Sequence, residues 1–115
     1  MKDIIERYQS VLLKYEILLW ENEPTSYRFN AKISFIDHSV LTVKEYLFRS
    51  GRKYSYHWQD KDGQLLIRWD NARHWKDVST FPHHKHLKDE VIPSVETTIE
   101  DVLDHISRCL KERCV

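Results

Sequence analysis

Along residues 27–36, apolar and polar side chains alternate with a period of two. The apolar positions of this run are Tyr27, Phe29, Ala31, Ile33 and Phe35. Such alternation is typical of a strand in an antiparallel sheet that buries one face and exposes the other. It constrains the fold strongly, because the buried face has to be covered by other parts of the chain. The sequence therefore predicts an antiparallel sheet with a single apolar side.

Further segments with strand character flank this run and are separated by short turns. The predicted strands cover residues 15–20, 27–36, 40–48, 53–58 and 64–70. The turn before the last of them ends in Asp62-Gly63, which is a strong signal for a β-hairpin. Because short connections place consecutive strands side by side, we predict a five-stranded antiparallel meander.

Helical spacing of apolar residues marks both ends of the chain. The spacing predicts an N-terminal helix carrying Ile4, Ile5, Tyr8, Val11 and Leu12. It also predicts a C-terminal helix with a stripe of Ile99, Val102, Leu103, Ile106 and Leu110. Thr97 followed by Glu100 resembles a capping box at the start of that helix. We expect both helices to pack on the apolar face, together with Trp20, Trp58 and Trp69, which gives an α+β fold.

Size, charge and cysteine content narrow the class of protein. The 115 residues suit one domain, which we assign to residues 1–115. Acidic and basic residues balance at 18 each, and no apolar run approaches a membrane span or a secretory signal. Cys109 and Cys114 are the only cysteines, which indicates no disulfide framework and fits a reducing compartment. We therefore expect a cytoplasmic protein without a membrane partner.

Residues 57–86 hold five of the seven histidines and three of the four tryptophans. Imidazole is the only side chain whose unperturbed pKa lies near neutrality, and neighbouring cations and aromatic rings suit an anion or a nucleic-acid base. Residues 71–93 show no period and are interpreted as a long ordered loop, which in compact domains usually has a functional role. We therefore expect the function to reside in this part of the chain.

Alternation along the predicted strands gathers a candidate site. Arg68 and Asp70 share one face of their strand, and pairing through the turn at 60–63 would bring His57 close to Arg68. The following loop then has to fold back over them. The predicted catalytic residues are His57, His74, His84, His86 and Asp70. The predicted phosphate-binding residues are Arg68, Lys85 and Arg73.

Two chemistries without a metal or another cofactor fit this set. The first is metal-independent cleavage of RNA, in which His57 and either His84 or His86 transfer protons and Asp70 orients a histidine. The cations would stabilise the charge on phosphate. The second is a non-catalytic module that binds RNA or protein, with aromatic rings stacking on exposed bases.

A metal-dependent nuclease or hydrolase is the third alternative. His84 and His86 project to the same side of an extended segment, and Asp70, His57 or His74 could complete a ligand set. The spacing matches no standard zinc signature, so no metal ligand is assigned from it.

Several strings resemble the TumE family, which consists of toxin components of toxin–antitoxin pairs. They are the segments 54–58, 68–72 and 80–86, the last reading Thr-Phe-Pro-His-His-Lys-His. The chain differs from the family pattern at Arg73, where a proline is usual, and at Trp75, where a second histidine is usual. The resemblance implies a type II toxin with a helix-turn-helix antitoxin as its partner. An exposed first strand or aromatic sheet face could also pair two copies into a homodimer.

Overall fold

The computed structural model describes residues 1–112 and contains one seven-stranded antiparallel sheet with strands in chain order. The elements are α1 Lys2–Glu6, a 3-10 turn Gln9–Val11, β1 Leu12–Glu23, β2 Ser26–Phe35, β3 Val40–Phe48, β4 Gly51–Gln59, β5 Leu65–Asp70, β6 His84–His86, β7 Val91–Pro93 and α2 Ile99–Glu112. Within this range neither helix is long and apolar enough to cross a membrane. Cys114, one of the two cysteines, lies outside the described residues.

The α+β class and the meander order are confirmed, but the predicted number of five strands is wrong. The two additional strands, β6 and β7, come from residues 71–93, which were predicted to be a loop. Each has only three residues, and a run of three cannot show a period of two. In β6 all three residues are polar, so no alternation with apolar side chains is visible.

The apolar face of the sheet is covered by the two helices and forms the core. The fully buried residues of β2 and β3 on this face are Phe29, Ala31, Ile33, Phe35, Leu41 and Val43. Helix α2 contributes Ile99, Val102, Leu103 and Ile106, as predicted from their spacing, and α1 contributes Ile5. Burial of one such side chain stabilises the fold by about 1.5–3 kcal/mol. This layer fixes one side of the sheet and leaves the other side free to carry polar groups.

The cap of α2 is shifted by one residue from the predicted pair of Thr97 and Glu100. Asp101 N donates to Thr98 Oγ1 at 3.2 Å, and Thr98 N donates to Asp101 Oδ2 at 3.0 Å. Thr97 Oγ1 instead donates to Val95 O, 2.9 Å away. Aspartate and glutamate can both close a capping box, and the sequence offers the pattern in two registers.

The three tryptophans expected on the sheet have different surroundings. Trp58 and Trp69 are buried under α2, where both rings contact His105 edge-on. Trp20 is half exposed at the margin of the sheet and packs edge-on against Phe29, with 5.6 Å between ring centroids. It therefore borders the core without being part of it.

A carboxylate lies within the apolar face. Glu45 of β3 is 4% exposed and accepts hydrogen bonds from Tyr27, at 2.7 Å, and from Tyr56. Arg52 lies 3.2 Å from the same carboxylate and also donates to the carbonyl of Thr97 at 2.6 Å. This network joins β2, β3 and β4 to the segment that precedes α2.

Candidate active site on the polar face of the sheet

The polar face is the side of β4, β5 and β6 opposite α2, and a row of three cationic or titratable side chains crosses it. His57 of β4 pairs with Arg68 of β5, and Arg68 pairs with His86 of β6. Directly opposed residues in an antiparallel sheet have Cβ atoms about 4.5–5.5 Å apart. An imidazole, a guanidinium and a second imidazole therefore stand side by side across three strands.

A carboxylate and another histidine lie in the next row and connect to the first. Asp70 pairs with His84, and His84 Nε2 lies 2.7 Å from Asp70 Oδ1. The other carboxylate oxygen accepts a hydrogen bond from Arg68 Nε at 3.0 Å. His86 Nε2 lies 3.6 Å from Asp70 Oδ2 and 3.1 Å from His84 Nε2. We call Asp70, His84 and His86 the Asp–His–His cluster.

His84 is held at both ring nitrogens. Its Nδ1 lies 2.9 Å from the carbonyl oxygen of Pro82. A carbonyl only accepts, so the hydrogen of a neutral His84 ring is on Nδ1 and its Nε2 lone pair faces Asp70 and His86. With 1% of His84 and 5% of Asp70 exposed, both groups are shielded from solvent.

His86 forms the accessible side of the cluster, with 23% of its side chain exposed. The ring of Trp75 covers part of this side, with centroids 5.8 Å from His86 and 6.4 Å from His84. Burial lowers the pKa of His86, while the Asp70 carboxylate acts in the opposite direction. The cluster is thus open to solvent through one histidine and partly covered by one indole.

His57 borders a depression of about 210 Å³ on the same face, which is also lined by Arg68, Thr42, Lys44 and Ser55. Burial and the neighbouring Arg68 lower the pKa of His57, so its ring is neutral at pH 7. Within the described residues, the buried Nδ1 of His57 has no hydrogen-bond partner. The depression therefore presents a neutral imidazole beside a permanent cation, an arrangement suited to holding an anion and accepting a proton.

Three of the predicted site residues lie elsewhere. Lys85 pairs with Trp69 on the helix-covered face, because alternation within β6 turns it away from its two histidine neighbours. His74 and Arg73 are exposed and line a different cleft, of about 360 Å³, beyond the end of β5. There the guanidinium of Arg73 lies 5.0 Å from the ring centroid of Phe81. The site thus contains His57, Arg68, Asp70, His84 and His86, and the expected folding of His74 over it is not observed.

Sequence reasoning missed two parts of the site. The sequence distinguishes Trp75 only by its difference from the family pattern, yet its ring covers the cluster. The backbone N–H of Ala72 donates to Asp70 Oδ1 at 3.0 Å and helps to fix the carboxylate. Neither contact can be predicted from the spacing of residues, because both depend on how the segment after β5 turns back towards the sheet.

The chain matches the family model described as "Toxin TumE" over residues 1–113, and it therefore belongs to the TumE toxin family. The resemblance found in the sequence is confirmed by this match. No curated protein and no solved structure matches the chain.

Proposed function

We propose that this chain is the toxin of a type II toxin–antitoxin pair and that its polar face cleaves RNA. Membership of the TumE toxin family supports the toxin role. The observation that carries the ribonuclease proposal is the row of His57, Arg68 and His86, in which one cation stands between two imidazoles. Cleavage of a phosphodiester needs a base, a cation at phosphate and a group that stabilises the leaving oxygen.

His57 is the base in this proposal. The 2′-hydroxyl oxygen attacks phosphorus, its proton passes to His57, the bond between phosphorus and the 5′-oxygen breaks, and the leaving 5′-oxygen takes a proton from solvent water. The products are a 2′,3′-cyclic phosphate and a 5′-hydroxyl. A base must be unprotonated to act, and the lowered pKa of His57 keeps its ring neutral at pH 7.

Arg68 binds the phosphate. Its Nε is anchored on Asp70, which orients the rest of the guanidinium, and 43% of the side chain is exposed. A guanidinium stays charged at all relevant pH values and matches the geometry of two phosphate oxygens. Arg68 is thus placed to stabilise the negative charge that develops during cleavage.

The Asp–His–His cluster lies on the side of Arg68 opposite His57, where a phosphate bound to Arg68 would direct its leaving oxygen. His84 does not transfer a proton to this oxygen directly in our proposal, because it is buried and both ring nitrogens are engaged. The accessible edge of the cluster at His86 stabilises the leaving oxygen instead.

Cleavage of RNA by the purified chain tests this proposal. We expect wild-type protein to produce 2′,3′-cyclic phosphate ends and Arg68→Gln to reduce the rate by about 10²–10³, the usual cost of losing a group that stabilises the transition state. Lys85→Gln is the matched control, because Lys85 lies on the opposite face. Intact RNA with wild-type protein contradicts the proposal, and saturable RNA binding without product would instead define a non-catalytic binding module.

The proposed protein partner is a helix-turn-helix antitoxin. Strand β1 is an edge of the sheet and exposes Leu13, Leu18 and Trp20 by about half, which is unusual for an unpartnered edge strand. We expect the antitoxin to cover this edge and co-expression of its gene to relieve growth arrest by the chain. A stable homodimer of the chain alone, abolished by Leu18→Lys, would assign the edge to self-association instead.

A further inference from the structure

We propose that Asp70, His84 and His86 bind one transition-metal dication, with Zn²⁺ the best match to the ligand set. The three candidate ligand atoms, two Nε2 and one carboxylate oxygen, all lie within 4.8 Å of one another. Two imidazoles and one carboxylate form a common ligand set for catalytic zinc and leave coordination positions open for water or substrate. The catalytic role of this site rests on the proposed function, because the metal would act on the leaving oxygen. Binding of the metal itself can be tested without RNA.

The distances between the ligand atoms are close to those around a small tetrahedral ion. With zinc–ligand bonds of about 2.0–2.2 Å, the ligands of a tetrahedral site are about 3.3–3.6 Å apart. His84 Nε2 lies 3.1 Å from His86 Nε2 and 2.7 Å from Asp70 Oδ1, while His86 Nε2 lies 3.6 Å from the other oxygen of the same carboxylate, Oδ2. The two shorter pairs have to open on binding, the histidine pair by about 0.2 Å and the pair of His84 and Asp70 by about 0.6 Å.

His84 contacts the backbone in the way that metal-bound histidines commonly do. Donation from Nδ1 to the carbonyl of Pro82 fixes the ring orientation and leaves the Nε2 lone pair as the only free electron pair of a neutral ring. That lone pair faces an oxygen of the Asp70 carboxylate, another electron-rich atom, at 2.7 Å in a place where 1% of the residue is exposed. A dication bound to both atoms turns this repulsion into attraction.

Neighbouring groups also suit such an ion. Asp70 is held by the backbone N–H of Ala72 and by Arg68 Nε, so the carboxylate is oriented before any ion binds. Trp75 restricts access of water to the outer side of the site. Next to Arg68, a bound dication would neutralise negative charge on the leaving oxygen of a phosphodiester.

Ligand softness sets the metal preference. Imidazole ligands favour zinc and the neighbouring transition metals, whereas Mg²⁺ prefers carboxylate, carbonyl and water oxygens. We therefore expect tight binding of Zn²⁺, visible absorption bands of a low-symmetry site with Co²⁺, and no competition by Mg²⁺ in large excess.

The alternative without a metal is a protonated His84 that forms a buried ion pair with Asp70. In that case Nε2 carries a hydrogen, and both ring nitrogens of His84 are protonated. The two states differ in the number of ring hydrogens, which nitrogen-detected NMR of His84 reports directly.

The decisive experiment is calorimetric titration of the untagged, chelator-treated chain with Zn²⁺ at pH 7.5. We expect one ion per chain, with affinity reduced at least about 100-fold in His86→Ala, since even changes outside the ligand shell cost 10–100-fold. His74→Ala is the control, because His74 is an exposed histidine away from the cluster. His86 is the most accessible ligand, so its replacement disturbs the fold least, and thermal unfolding of each variant confirms that it is folded.

The outcomes separate the metal site from the ribonuclease. Failure of wild-type protein to bind one Zn²⁺, or equal affinity in His86→Ala and His74→Ala, overturns the metal site. RNA cleavage that persists in chelator with no bound metal overturns the role of the metal at the leaving oxygen but leaves the proposed ribonuclease standing. Stoichiometric zinc binding that depends on His86, with no cleavage of RNA, supports the metal site and removes the ribonuclease.

Discussion

Nε2 of His84 lies 2.7 Å from Oδ1 of Asp70, and both residues are almost fully buried on neighbouring strands. This contact attaches the polar strand β6 to the edge of β5. It also places His86 beside the carboxylate, since side chains two residues apart in a strand point to the same face. The contact between His84 and Asp70 thus holds β6 in the sheet and also brings the side chains of the candidate site together.

Removal of the Asp70 charge should destabilise the fold as well as inactivate the site. Asp70→Asn keeps the size of the side chain but weakens its contacts with His84, Arg68 and the N–H of Ala72. We expect the free energy of unfolding to fall by about 1–3 kcal/mol, measured by urea denaturation. Asp62→Asn, in an exposed turn, should change it by less than about 0.5 kcal/mol. Equal unfolding midpoints for the two variants would argue against a structural role of the pair.

Trp75 should control access to His86. We expect Trp75→Ala to raise the rate at which diethyl pyrocarbonate modifies His86 in the metal-free chain, because the indole covers one side of that ring. His84 should stay protected in the same sample, since it is enclosed by Asp70 and the Pro82 carbonyl as well. Peptide mapping by mass spectrometry measures both rates. Trp20→Ala is the control, and an unchanged rate at His86 in Trp75→Ala would show that the indole does not shield it.

His105 is a partly buried histidine of α2 that plays no part in the site. The groups facing its ring are Trp58, Trp69, Lys85, Arg108 and Cys109. Burial lowers the pKa of His105, and the cations Arg108 and Lys85 lower it further. The folded chain therefore disfavours the protonated ring.

This lowered pKa predicts acid sensitivity of the fold. Stability is fully present above the pKa of an unfolded histidine, about 6.5, and is lost as the pH falls below it, because the unfolded chain then binds the proton more readily. We expect His105→Gln to lose less stability than wild type between pH 7.5 and 5.5, as measured by thermal unfolding. A parallel decline in both proteins would contradict the assignment.

Glu45 should control the ionisation of Tyr27. Burial and then the hydrogen bond to Glu45 raise the pKa of Tyr27 to about 12. In Glu45→Gln the pKa should move back towards its usual value near 10, and the fold should lose about 1–3 kcal/mol as Tyr56 and Arg52 lose their shared acceptor. NMR titration and urea unfolding measure the two effects. Glu23→Gln, on an exposed part of β1, should change neither.

Long alternating segments allowed the sheet to be predicted from sequence. Strand β3 has the predicted bounds of 40–48, and β2 differs from its prediction by one residue at each end. Strand β1 is longer than predicted, at Leu12–Glu23, because much of it is exposed on both faces at the edge of the sheet and its pattern is weak. The alternation rule therefore performs best where one face is fully buried.

The candidate site was only partly predictable. Alternation correctly placed His57, Arg68 and Asp70 on one face, because the strands that carry them were recognised. The position of β6 depends on long-range pairing with β5, which the short polar run from His84 to His86 does not reveal. Glu45 could not be interpreted from sequence for a different reason. It is a charged residue at an apolar position of β3, and its burial is explained only by partners such as Tyr27, which the structure reveals.

The most direct test of the proposed site compares RNA cleavage by His57→Gln and His38→Gln. His38 lies in an exposed turn between β2 and β3, whereas His57 is the proposed base next to Arg68. We expect the cleavage rate to fall by about 10²–10⁴ in His57→Gln, the usual contribution of general base catalysis, and to be unchanged in His38→Gln. Equal rates for the two variants would contradict an active site on the polar face.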